Sequence, residues 1–458
     1  MTEVKILEIR LYDEPIGSLT DLGNDRNIFS FTDDYIANSD RPTLSLGFKD
    51  NMGDLVTDFV PHQKRLMPFF SNMLPEGSMR EYLAERAGVN SEREFPLLAV
   101  LGRDLPGAVT AIPIDGHPQL IGLDQFESDK ASEEEAPDNA LHFSLAGVQL
   151  KFSAVMDASG GLTVPASGAG GSWIVKLPSA EFPAVPENEF SMMKLASLIG
   201  MDVPRIELVD VASIANVPGG IEKAGPKAFV IERFDRLADG GRVHIEDFAQ
   251  VMDVYPEKKY KKASMRTILR VIGNEGTWQD VVEFVRRLTF NMLIGNGDMH
   301  LKNWSLIYLD RVTPSLAPAY DFVSTIPYLP GDNTGLNISR SKSFSDFNVD
   351  EVSHMAAKAS VPIRTVLDTV EETVELFFQH WQAESANLPM TDLVRDAIDA
   401  HLGKLPIVEE MAARKSAHSR QINGRTAPRS GFVRAALESA THSPASGFVM
   451  PTREGHDQ

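Results

Sequence analysis

Apolar and polar residues trace a strand at the start of the chain, where Val4, Ile6, Ile9 and Leu11 recur on a short period. Asp13-Glu14-Pro15 supplies a turn, and Ile16-Gly17-Ser18-Leu19 reads as the returning strand. The period then lengthens. Over residues 65–100 the apolar positions take helical spacing, with Pro75-Glu76-Gly77 opening one helix and Gly88 closing it. Residues 1–121 are therefore expected to form a small sheet with short helices packed on it.

Residues 122–140, GLDQFESDKASEEEAPDNA, lose the apolar pattern and read as an acidic linker. Beyond it LHFSLAGVQLKFSAV, a Gly/Ser-rich turn and Trp173-Ile174-Val175-Lys176-Leu177-Pro178 predict strand, loop and strand. Met192, Leu195, Ala196 and Ile199 then mark a helix that stops at Gly200. IELVDV and AFVIERF return to strand character, so residues 141–236 form a mixed α and β lobe. Residues 237–405 are predicted to be a helical lobe, with DVVEFVRRLTFNMLIGN and RTVLDTVEETVELFFQHWQAE as its long helices. Beyond residue 411 the chain carries Arg414, Lys415, Arg420, Arg425, Arg429 and Arg434 with no acid before Glu438, diluted by Gly, Pro, Ala and Ser; the stretch 406–458 reads as a basic, flexible or loosely docked tail. The fold class is α+β.

Composition narrows the function. At 458 residues and 43% hydrophobic, the chain can bury a sizeable core. A formal charge of −20 argues against nucleic-acid binding over the whole surface. With no cysteine there is neither disulfide nor thiolate chemistry, which suits a reducing compartment. Neither a signal peptide nor an apolar run long enough to span a membrane is read, so a cytoplasmic location is expected.

The densest chemistry lies in Asn296-Gly297-Asp298-Met299-His300-Leu301-Lys302-Asn303, after an apolar helix-like stretch. Asp298 is placed to orient or deprotonate a hydroxyl, and Asn303, five positions on, to offer a carbonyl oxygen to Mg2+. This Asp-x4-Asn spacing is that of a protein-kinase catalytic loop. Asp321, in Ala319-Tyr320-Asp321-Phe322, follows the strand-like Ser305–Tyr308 and is a second candidate metal carboxylate. Each also reads as ordinary structure: Asp298 as a turn residue, Asn303 as a cap, His300 as a packed histidine. Upstream, Lys176 is placed for nucleotide phosphates, and Glu189, on the inward face of its helix, to pair with it. Glu232 and Phe234 sit where a strand runs into a connector between the lobes, a place for adenine. Two glycine-bearing loops, Gly168–Ser172 and Ser144–Lys151, are candidates to cover phosphates, and neither has the P-loop order.

Taken together, SLAGVQLK (144–151), WIVKLP (173–178), NEF with LASLIG (188–200), VIERFDR (230–236), HIEDFAQ (244–250), NGDMHLKN (296–303) and YDFVST (320–325) resemble the HipA family of serine/threonine kinase toxins, in the same order. The N-terminal FFSNMLPEGSMREYL and LLAVLGRDLPGAV resemble the small domain that precedes the kinase core in that family. The resemblance covers about residues 1–390. It implies a bilobal protein-kinase-like core and an ATP- and Mg2+-dependent kinase acting on a protein substrate, family targets including aminoacyl-tRNA synthetases. It also implies that Asp298 is catalytic, Asn303 and Asp321 hold the metal, and Lys176 and His300 serve the nucleotide, with Glu232 and Phe234 framing adenine. Ala146, Gly147, Val148, Gln149 and Lys151 would cover the phosphates, and Ser144 would be autophosphorylated. Leu150 and Val148 depart from residues some family members carry in this loop. The implied partner is a small helix-turn-helix, HipB-like antitoxin, through which DNA would be contacted. The alternative is a catalytically silent scaffold that binds the antitoxin and serves in transcriptional repression.

Overall fold

The structure, a computed structural model, describes residues 4–114, 150–156, 161–163, 171–217 and 220–426. The first sheet has five strands in the order β4-β3-β2-β1-β5, all neighbours antiparallel: β1 (Ile6–Leu11), β2 (Glu14–Gly23), β3 (Arg26–Phe31), β4 (His62–Gln63) and β5 (Val109–Pro113). In β1 the inward positions are Leu7, Ile9 and Leu11, with Ile6 half-buried. The turn lies one residue earlier than the sequence suggested. Leu11 pairs with Glu14, so Tyr12 and Asp13 form a two-residue loop, both with positive φ. That backbone matches the twist of the flanking strands, whereas a turn at Pro15 could not supply it. Phe29, Phe31, Phe48, Phe59, Phe69 and Phe70 pack ring against ring below this sheet.

The second sheet has six strands in the order β10-β7-β6-β8-β11-β9: β6 (Lys151–Met156), β7 (Leu162–Thr163), β8 (Trp173–Lys176), β9 (Ile206–Asp210), β10 (Ile214–Ala215) and β11 (Lys227–Glu232). β8 lies antiparallel between β6 and β11, and its register sets Lys176 opposite both Lys151 and Phe229. The Val185–Leu198 helix lays Met192, Met193, Leu195 and Ala196 against this sheet, all buried.

The following lobe is mainly helical and also contains a small sheet of β12 (His244–Asp247), β13 (Ser305–Tyr308) and β14 (Ser315–Leu316). The Trp278–Ile294 helix starts on a reciprocal cap between Thr277 and Asp280 and packs on the Ile363–Glu384 helix, with Phe290 and Phe377 at 5.9 Å between ring centroids. The region read as tail begins with a further helix, Pro406–Thr426, whose Ile407 and Met411 are buried. Their apolar contacts order the segment despite its polar composition. Met1–Ala413 is one compact unit and Arg414–Gln458 a second.

Within the first unit, the N-terminal sheet is fastened to the core by buried polar groups. Glu246 of β12 accepts from Ser45 Oγ at 2.5 Å, from the Leu46 amide at 2.9 Å and from the Tyr308 hydroxyl. Arg233 and Arg236 share Asp235 and Asp104, and Asp235 also accepts from the Gly107 amide at 2.8 Å.

Candidate active site

Gly295 ends the apolar helix at φ 67°, and a Cβ there would come within 2.5 Å of Ile326. The chain can reverse at this point because the residue is glycine. Asn296 fixes the next stretch: its Nδ2 donates to Asn291 Oδ1 at 2.7 Å and to the Asp321 carbonyl at 3.4 Å, and its Oδ1 accepts from the Asp298 amide at 3.0 Å. Asn303 closes the loop by donating from Nδ2 to the Asp298 carbonyl at 2.8 Å. The structure bears out the turn reading of this motif and leaves the Asp298 carboxylate outside the turn's own hydrogen bonds. The amides build the turn, and the half-exposed Asp298 carboxylate projects from it.

Asp298 Oδ1 accepts from the Tyr260 hydroxyl at 2.5 Å and lies 3.9 Å from His300 Nε2. Burial raises its carboxyl above the ordinary aspartate value, with the Tyr260 bond and Lys259 pulling the other way. His300 is buried edge-on against the Tyr260 ring, and burial together with Lys259 lowers its pKa to about 3, so its imidazole is neutral.

Lys176 is the centre of the second cluster. Its Nζ donates to Glu189 Oε1 at 2.5 Å and to Asp321 Oδ1, and sits 5.7 Å from the Phe229 ring centroid. Burial would lower this ammonium, but Asp321 and Glu189 outweigh it and raise it well above the lysine value. Burial likewise pushes Asp321 up, and Lys176 with Lys151 holds it far below the usual carboxylate range. Glu189 moves upward on burial, Lys176 drawing it back. Lys151, directly across the strand pair, feels Asp321 first; desolvation and the Lys176 cation prevail and lower it. Asp321 itself has φ 58°, a conformation uncommon for a residue with a side chain. Tyr320 fastens the preceding turn by donating to the Lys302 carbonyl at 2.9 Å.

At the connector, Phe234 is half-buried, its ring 5.9 Å from that of Tyr320. The Glu232 side chain is exposed, while its amide donates to the Arg205 carbonyl at 2.9 Å and the Arg233 amide to the Ser172 carbonyl at 2.7 Å. Those two donors are committed to the fold. Ser144, Ala146, Gly147, Val148 and Gln149 lie outside the described residues.

Sequence reasoning missed two contributors. Tyr260 stands 38 positions before Asp298 in a lysine run with no motif of its own. Glu76, read only as a helix opener, reaches Lys302 at 2.7 Å and Lys259 at 3.1 Å; burial pushes its carboxyl up, but the two lysines prevail and lower its pKa to about 2. The proline and glycine around Glu76 announced the helix and hid the ion pair.

Among the described residues no three His, Cys, Asp or Glu side chains converge as a metal cage. A divalent ion bound by one ionised carboxylate and one amide oxygen, with phosphate oxygens and water completing its shell, suits Mg2+. Asp321, kept ionised by its lysines, and Asn303, whose Nδ2 is turned into the loop, fit that requirement.

A β-rich domain before two lobes, with a lysine between two acids and an amide-built loop presenting an aspartate, defines a kinase-like core. Residues 7–112 match the HipA N-terminal domain, and residues 143–381 the HipA-like C-terminal domain. The chain belongs to the HipA family. It is 53% identical over 415 residues, 90% of this chain and all of the relative, to the Sinorhizobium fredii protein Y4dM, a kinase by designation. It is 28% identical over 377 residues, 70% of this chain and 76% of the relative, to the serine/threonine-protein kinase toxin HipA of Shewanella oneidensis. The fold is that of HipA in the Shewanella oneidensis complex of HipA, HipB and operator DNA, at TM-score 0.67 and 22% identity, covering 88% of this chain and 99% of that one.

Proposed function

We propose that this chain is an ATP- and Mg2+-dependent serine/threonine protein kinase acting as the toxin of a toxin–antitoxin module. The observation that supports the reading is the convergence of Lys176 with Glu189 and Asp321, beside an Asp298 carboxylate that already accepts a hydroxyl. Lys176, Lys151 and His300 serve the nucleotide; Glu232 and Phe234 frame the adenine. Bound through Asn303 and Asp321, Mg2+ would neutralise charge on the transferring phosphoryl group. Asp298 orients the acceptor hydroxyl and takes its proton as the oxygen bonds to the γ-phosphorus and the bond to ADP breaks.

The acceptor is a protein, aminoacyl-tRNA synthetases being the family precedent, and the chain also modifies its own Ser144. A dianionic phosphate there would repel the nucleotide phosphates and switch the site off. A HipB-like helix-turn-helix antitoxin is the proposed partner, supported by the complex in which the structural neighbour was solved. Incubation with labelled ATP and a cell lysate, followed by phosphosite mapping, tests the reading. Labelling of a lysate protein and of Ser144 is expected, whereas ATP binding without any label would leave the silent-scaffold function instead.

A further inference from the structure

The segment from Lys258 to Lys262 reads Lys-Lys-Tyr-Lys-Lys, a concentration of positive charge in a chain of net charge −20. It is not a loose surface run. Pro256 is buried at the start of a short turn of helix ending at Lys258, and Lys262 closes the segment at φ 65°. The Leu301 amide donates to the Lys259 carbonyl at 3.3 Å, and Lys342 Nζ donates to the Tyr260 carbonyl at 3.2 Å. The strip is therefore bolted to the same loop that carries Asp298, with the Tyr260 hydroxyl on the Asp298 carboxylate itself.

Its lysines divide into two kinds. Lys259 is half-buried and spent on Glu76. Lys258, Lys261 and Lys262 are exposed, and among the described residues their ammoniums form no ion pair. The nearest acid in sequence, Glu257, is taken by Arg65 at 2.5 Å. The Tyr260 hydroxyl itself lies in the field of the Asp298, Glu76 and Asp332 carboxylates. A hydroxyl donating into Asp298 is also the contact an acceptor serine or threonine must make, so an acceptor that replaces Tyr260 there brings its flanking residues over these lysines.

Building on the kinase reading, we infer that the Lys258–Lys262 strip is a docking surface for acidic residues flanking the phosphoacceptor of a protein substrate. Charge complementarity sets the partner's sign, and the position beside Asp298 sets its role. A long polyanion such as RNA meets repulsion from the rest of an acidic surface; a short acidic peptide does not.

The test measures binding, separately from catalysis. A short fluorescein-labelled peptide with one serine among glutamates is titrated against the full chain by anisotropy at low salt. Binding that weakens with salt and falls about tenfold or more in a Lys258→Glu/Lys261→Glu/Lys262→Glu variant is expected. The same peptide with lysines for glutamates should bind worse, and an unchanged thermal midpoint and unchanged affinity for a fluorescent ATP analogue would show that the variant is folded. Equal binding of the two peptides, or an affinity the triple variant keeps, would overturn the inference. So would tighter binding of a single-stranded RNA oligonucleotide that the triple variant loses, which would reassign the strip to nucleic acid. Failure of the kinase reading shows elsewhere, as ATP binding without any label on the chain or a lysate.

Discussion

Lys176 holds two carboxylates, and each depends on it differently. Glu189 is fully buried and takes its hydrogen bond from the lysine, whereas Asp321 is less buried and is held ionised by Lys176 together with Lys151. Replacing Lys176 by Ala leaves both acids without their main counter-charge, at a cost of roughly 3–5 kcal/mol, as for other buried pairs broken on one side. Denaturant unfolding should show that loss, and titration with a fluorescent ATP analogue should show weakened binding. Asp298→Ala is the opposite case. Its carboxylate is half-exposed and its hydrogen-bond donor Tyr260 is exposed, so phosphoryl transfer should fall by a factor of a hundred or more, on the order expected for a lost catalytic base. Nucleotide affinity and thermal midpoint should stay near wild type, and full activity in that variant would reject the role given to Asp298. The residues of both clusters were legible because their types and order are chemical. Tyr260 was not, since a tyrosine carries no signal of its partner when the contact is made by a fold that brings residue 260 beside 298.

At the scale of elements, helices were read from their period and glycine stops, and strands from short apolar runs. What escaped was set by backbone conformation. The first hairpin turns at Tyr12-Asp13 because twist demands positive φ at both positions, a demand no hydrophobic pattern carries. Gly295 shows the same constraint where it matters for the site. Gly295→Ala places a methyl at φ 67° against Ile326, and should cost about 1–2 kcal/mol in strain and displace the loop that carries Asp298, lowering activity more than stability. Comparing kcat with the thermal midpoint of this variant checks the claim. β12 gives a pH prediction. Burial raises Glu246 to about 7, above its ordinary 4.5, so its contribution to stability is complete below that ordinary value and is lost as pH rises through about 7. The thermal midpoint should therefore decline between about pH 5 and 8, and Glu246→Gln should flatten the decline. An unchanged slope in the variant would mean that other acids with raised pKa, such as the half-buried Asp247, account for it.

For the molecule as a whole, the two-lobed core and its preceding domain were legible from motif order, but their attachment was not. Arg233, Asp235 and Arg236 appear in sequence as part of a connector, with nothing to show that Asp104 completes them. Asp235→Ala should leave the buried Arg233 and half-buried Arg236 guanidiniums short of an acceptor and destabilise by roughly 3–5 kcal/mol, read by calorimetry, although the residue is distant in sequence from Asp298 and Lys176.

The same cluster bears on how the chain is made. Translation delivers Asp104 first, where water can solvate a lone carboxylate at an unfinished surface, and only later the two arginines that will be buried against it. The cations thus emerge to find an acid already in place. A fragment starting at residue 143, where the match to the C-terminal domain begins, reverses that provision and asks the core to close over Arg233 and Arg236 with Asp104 missing. Expression of that fragment alone should consequently give an aggregating product, rescued when residues 4–114 are supplied as a separate chain.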